Sequence, residues 1–189
     1  MSFEFMIRNR PVKIVNGYDP LITDSPEYFQ VTGTGMATIA DAMGRADLLD
    51  YDHNVSEQIR RIWPPRVKKW LFSSRLGEDV LDPILEYLDE PAGDPPATDQ
   101  VIDLVRRTKA EVDHCLAKGS PLSGKIPAEK FRSNDGWIVT AEECAVIANA
   151  LRHYLANVGA VTNADEIDLI QKWMRFNTVA AENGGYTVT

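Results

Sequence analysis

The chain has 189 residues, 44% of them hydrophobic, with 28 acidic against 20 basic side chains for a formal charge of −8. That composition lies far from the low-hydrophobicity regime of disordered chains and is long enough to bury a core of its own. The acidic mean field opposes nucleic acid and anionic membranes, and no window approaches the roughly eighteen uncharged apolar residues of a membrane span.

At the N-terminus Phe3, Phe5 and Ile7 alternate with Glu4 and Arg8, a period of two, and Asn9-Arg10-Pro11 turns the chain toward Val12–Val15. The pattern predicts a small hairpin. The interrupting Glu4, Arg8 and Arg10 leave no apolar core for a secretion signal. Residues 27–32 (EYFQVT) predict a third strand, Gly33-Thr34-Gly35 a tight turn, and Met36, Ile39, Ala40 and Met43 a helix ending near Gly44.

A helix over 56–63 must stop at Pro64-Pro65 and restart over 66–72, because proline lacks a donor and disfavours helix in the residue before it. Val80, Leu81, Ile84, Leu85 and Leu88 then share one face of a helix over 77–88. The segment 89–98 (DEPAGDPPAT) reads as a linker, so a single domain over 1–189 can be expected to divide into lobes 1–88 and 98–189. A long helix follows to about Lys118, with Val101, Leu104, Val105, Val112, Cys115 and Leu116 facing inward and Gly119 as its stop.

Residues 133–136 form a turn into a short strand, Trp137–Val139. Thr140-Ala-Glu-Glu143 is a capping box, in which hydroxyl and carboxylate exchange bonds with each other's amides. The helix it opens should bury Cys144, Ile147, Ala148, Leu151 and Leu155. A last helix over about 164–182 should bury Ile167, Ile170, Trp173, Met174 and Ala181 before Gly184-Gly185 ends it. Tyr186–Thr189 then forms a terminal strand whose nearest partner is 137–139. The expected class is α+β, mainly helical, with an N-terminal hairpin and a short C-terminal strand pair.

Charge is segregated along the middle of the chain. Arg60, Arg61, Arg66, Lys68, Lys69 and Arg75 occur with no acid between Glu57 and Glu78, interleaved with Trp63 and Trp70. The acids Glu78, Asp79, Asp82, Glu86, Asp89, Glu90, Asp94, Asp99 and Asp103 follow without a base. The favoured reading is that the two runs face one another within the fold or across an oligomer contact. The alternative is an enzyme or small-molecule (anion) binder whose site is lined by Arg60, Arg61, Trp63, Lys69 and Trp70, where guanidinium groups and indole faces hold phosphate or an acidic partner.

Other constellations fall short of a site. Glu111-x-x-His114 has the spacing of one half of a di-iron bundle, but His153 has Ala150 three residues before it and His53 lies in a loop, so neither metal nor cofactor is expected. His114 and Cys115 point about 100° apart on a helix and form no dyad. Gly33-Thr34-Gly35 lacks both the third glycine of a dinucleotide fingerprint and the Gly-Lys of a phosphate loop. Cys115 and Cys144 sit among apolar neighbours and read as buried free thiols of a reducing, cytoplasmic environment.

The run SNDGWIVTAEEC, a helix pair and then AAENGGYTV resemble the endings of small bacterial proteins that have no assigned activity, and YFQVTGTGMATIADAM resembles their first third. The resemblance implies a bacterial cytoplasmic protein and transfers no catalytic or binding residue. With no catalytic motif evident, the reading favoured is a non-enzymatic interaction or regulatory protein that docks a basic protein partner through an acidic surface, and a further possibility is a homodimer contact formed by Trp63, Trp70 and their cations. Membrane and nucleic acid are not expected partners.

Overall fold

The computed structural model describes residues 2–9, 28–157 and 163–189. In chain order these form β1 (Ser2–Ile7), β2 (Tyr28–Thr32), α1 (Gly33–Arg45), β3 (Leu49–Asp50) and α2 (Ser56–Ile62). They continue with α3 (Pro65–Ser73), a 3₁₀ turn (Glu78–Val80) leading into α4 (Leu81–Asp89), and α5 (Asp99–Leu116). Then come β4 (Ile126–Pro127), a 3₁₀ turn (Ala128–Phe131), β5 (Trp137–Val139), α6 (Ala141–Asn157), α7 (Ala164–Glu182) and β6 (Tyr186–Val188). The class is α+β and mainly helical.

Two units emerge. The first joins residues 1–54 to 117–189, and the second, 55–116, is inserted between them. The segment 89–98 therefore lies inside the second unit, while that unit's two boundaries fall at 54/55 and 116/117, positions without proline or glycine.

In the first unit an antiparallel sheet runs β2-β1-β6-β5. β1 pairs with β2 in the register Phe3↔Val31 and Phe5↔Phe29, and with β6 through Phe5↔Val188 and Ile7↔Tyr186. β6 also pairs with β5, Trp137 opposite Val188, so the expected C-terminal strand pair forms. Of the expected N-terminal hairpin, β1 is present and Val12–Val15 lie outside the described residues. β3 and β4 form a separate parallel pair, Leu49↔Ile126.

Period two puts Phe3, Phe5 and Ile7 on the buried face of β1. There Phe5, Phe29, Trp173, Phe176 and Tyr186 make one aromatic cluster, with Phe5 edge-on to Trp173 at 4.9 Å and to Tyr186 at 5.6 Å. Such pairs add about 0.5–1.5 kcal/mol beyond the area they bury. The buried stripe of α7 is Ile170, Trp173, Phe176, Asn177 and Ala180, a face rotated from the expected one, which leaves Ile167, Met174 and Ala181 half-buried. Asn177 is accommodated because its Nδ2 donates to Trp173 O one turn back.

Helix α1 begins earlier than expected. Thr32 Oγ1 accepts from Gly35 N and caps the helix, so Gly33-Thr34-Gly35 is its first turn. A Cβ at Gly35 would stand 2.3 Å from Val31 Cγ2, which is why glycine occupies that position. Gly185, at φ +84°, brings the chain so close to β5 that a Cβ would stand 2.1 Å from Val139 O.

The second unit is all helical, with Val67, Leu71, Ile84, Val101, Ile102 and Val105 at its centre. The prolines act as expected, ending α2 at Ile62 and opening α3 at Pro65. Ala97 packs back onto this core, so the proline-rich segment is anchored to the unit it belongs to.

Candidate functional site

In the second unit, the last turns of α4 and the segment beyond them enclose an open hollow of about 600 Å³ lined by Pro83, Glu86, Tyr87, Asp89, Glu90, Ala92, Asp94 and Pro96. Its position follows from the sequence. The face of α4 opposite buried Ile84 carries Glu86, the helix ends at Asp89 with Glu90 as its cap, and Pro91, Pro95 and Pro96 lack the amide donors that would continue a helix or join a ladder. Four carboxylates thus share a wall with a tyrosine, an alanine and two prolines.

Lys109 Nζ lies 3.2 Å from Asp89 Oδ1 and takes up one of those charges. Glu86, Glu90 and Asp94 are exposed and form no ion pair with a described residue. The hollow is therefore net negative, open and partly apolar. Its chemistry suits a cationic side chain with an apolar stem, held by carboxylates and laid along the face of Tyr87.

The basic run is divided between two roles. Arg61 pairs with Glu57, Arg66 Nη1 lies 2.7 Å from Glu111 Oε2, and Lys68 Nζ lies 3.1 Å from Glu78 Oε1. Trp63 and Trp70, both half-buried, each pack on the apolar core of the unit. Arg60 and Lys69 are exposed. Of the five residues expected to line an anion site, two indoles support the core, one guanidinium is neutralised by its own helix, and two cations stand at the surface.

Glu111, the carboxylate of the Glu-x-x-His motif, is the partner of Arg66, and His114 is exposed. Among the described residues no group of three or more His, Cys, Asp or Glu side chains lies close enough to hold a metal ion. Cys115 and Cys144 are both free and buried.

The first unit holds a buried polar cluster. Lys130, fully buried, donates to Ile138 O at 2.7 Å, to Ala117 O at 3.3 Å and to both carboxylate oxygens of Glu143 at 2.8 and 2.9 Å. Glu143 also closes the expected capping box, accepting from Thr140 N at 2.9 Å while its own amide donates to Thr140 Oγ1. Burial depresses the Lys130 pKa against the opposing pull of Glu143. Burial, aided by Glu143, raises the neighbouring Cys144 thiol far above its ordinary value, which makes it a poor nucleophile. The cluster ties β5 and α6 to the turn at Ala128–Phe131, and its chemistry is that of a satisfied internal ion pair.

Asp50 is a second buried carboxylate, accepting from Ser120 Oγ and from Asp52 N. Those bonds, the serine's foremost, hold it below the usual carboxylate range. Neither Lys130 nor Ser120 stands out in the sequence, since both depend on partners brought near by folding. The hollow left a compositional trace, a run of acids broken by prolines, but no spacing that marks a concavity.

Among the described residues no helix is long and apolar enough to cross a membrane. No protein-family model, curated protein or solved structure matches the chain.

Proposed function

We propose that this protein is a non-enzymatic interaction protein that docks a basic partner through the acidic hollow of its second unit and screens that partner's positive charge. The observation that carries the reading is the hollow itself, in which Glu86, Glu90 and Asp94 stand exposed beside Tyr87 and Pro96. Steering by the overall charge of −8 supports fast encounter with a cationic surface. The free thiols at Cys115 and Cys144 support action in a reducing compartment such as the cytoplasm.

Fluorescein-labelled octa-arginine provides the test, with octa-glutamate as control. Anisotropy should rise with the cationic probe at ~50 mM salt and stay flat at ~500 mM, where screening collapses to a few ångströms. Glu86→Lys/Glu90→Lys should weaken binding at least tenfold. Equal binding by wild type and this variant removes the hollow as the docking site.

A further inference from the structure

Helix α3 presents an uncovered face. Val67 and Leu71 are buried on its inner side, whereas Phe72, at 64% exposed, is one of the few large apolar side chains left in solvent. Lys69 precedes it by three residues on the same helical face, and Arg75 follows it immediately past the helix end, with φ +59° and its amide donating to Phe72 O. Phe72 thus stands beside two exposed cations, whose charge is opposite to that of the hollow on the same unit.

We infer that the Lys69–Phe72–Arg75 face of one copy docks into the acidic hollow of a second copy. The inference rests on the hollow being a docking site, as proposed above, and names this chain as one of its occupants. Charge complementarity carries it: Lys69 and Arg75 meet Glu86, Glu90 and Asp94, and the phenyl ring enters between Tyr87 and the prolines, where an aromatic pair is favourable. Because the two surfaces differ, the contact is heterologous. After the first docking the pair keeps one face, on one copy, and one hollow, on the other, so assembly continues beyond a dimer. Self-docking also covers the hollow, so a basic partner must displace it, and self-association competes with partner binding.

Sedimentation velocity over a concentration series to about 200 µM reads the outcome, because a contact of this size is expected to be weak. Wild type at ~50 mM salt should show mass that rises with concentration past the dimer, and at ~500 mM it should remain monomeric. Lys69→Ser/Phe72→Ser, lacking the face, and Glu86→Lys/Glu90→Lys, lacking the hollow, should each be monomeric alone. Their equimolar mixture should form a one-to-one dimer and grow no further, since one intact face and one intact hollow remain. All the substituted side chains are exposed, and circular dichroism with a urea midpoint checks the fold. Phe72→Ala and Glu90→Gln serve as milder replacements.

A wild type that stays monomeric at low salt overturns the inference, as does a mixture that fails to dimerise or variants that associate on their own. If octa-arginine still binds such a monomer and is released by Glu86→Lys/Glu90→Lys, the docking reading stands and self-docking alone has failed.

Discussion

Lys130 and Glu143 form a buried ion pair, Nζ to Oε2 2.8 Å, in which the ammonium has no exposure and every acceptor around it belongs to the first unit. Two backbone carbonyls and a carboxylate that also caps α6 surround one cation. The arrangement joins a lysine of ordinary sequence context to the capping box, so that one carboxylate orders both a helix start and a strand end.

Lys130→Met leaves the Glu143 carboxylate buried without its cation and is expected to cost about 3–5 kcal/mol. Lys130→Met/Glu143→Gln removes the orphaned charge while keeping an acceptor for Thr140 N, and should recover roughly half of that loss. Urea denaturation of wild type and both variants measures this. A double variant as unstable as the single one would show that lost packing, rather than an unpaired charge, sets the cost.

Alkaline stability should carry the signature of Cys144. Burial holds its thiol protonated in the folded state well above its ordinary value, whereas the unfolded chain ionises it near pH 8.5. Above that pH the native state binds more protons than the unfolded state. The stabilising contribution, fully present below about pH 8.5, therefore falls by up to ~1.4 kcal/mol per pH unit as pH rises. Tyr186, raised by burial, acts in the same sense above about pH 10, and Lys130, depressed by burial, acts in the opposite sense below the ordinary lysine value. The difference between wild type and Cys144→Ala isolates the thiol. Urea midpoints measured from pH 7.5 to 10 should converge between the two proteins, and parallel curves would refute the assignment.

Gly35→Ala should destabilise the first unit by about 2 kcal/mol, because its Cβ collides with Val31 Cγ2 at 2.3 Å rather than with backbone. The obstacle is a methyl group, so Val31→Ala in the same chain should relieve the collision and cost less than the two single changes summed. Thermal unfolding of the four proteins in this cycle reads the coupling. Strict additivity would place the strain in the helix backbone instead.

The sequence carries the local rules well and the long-range ones poorly. Thr140 and Glu143 announce a cap within four residues, Pro64-Pro65 separates α2 from α3, and alternation in β1 identifies its buried face. Each of those signals is complete within a single turn or strand. The partner of Glu143 lies thirteen residues back, and that of Asp50 lies seventy residues on, with no periodicity to reveal either. The proline-rich run 89–98 has the composition of a boundary, yet Ala97 holds it on the core of the inserted unit and its carboxylates wall the hollow. Tryptophan beside arginine likewise has the composition of a binding surface, and only tertiary packing assigns Trp63 and Trp70 to the apolar core of the unit.

That assignment separates two neighbouring aromatics of α3. Trp70 packs on the cluster of Val67, Leu71, Ile84 and Val105, so Trp70→Ala should destabilise the second unit by about 2–4 kcal/mol through lost burial and a residual cavity. Phe72, two residues later, lies 64% exposed, and Phe72→Ala should change stability by no more than about 0.5 kcal/mol. Urea unfolding followed by far-ultraviolet circular dichroism compares them directly. If instead Trp70→Ala left the midpoint unchanged while Phe72→Ala lowered it, the helix would be turned the other way. The exposed cationic face of α3 would then be built around an indole, and the contact proposed for Phe72 would lose its central side chain.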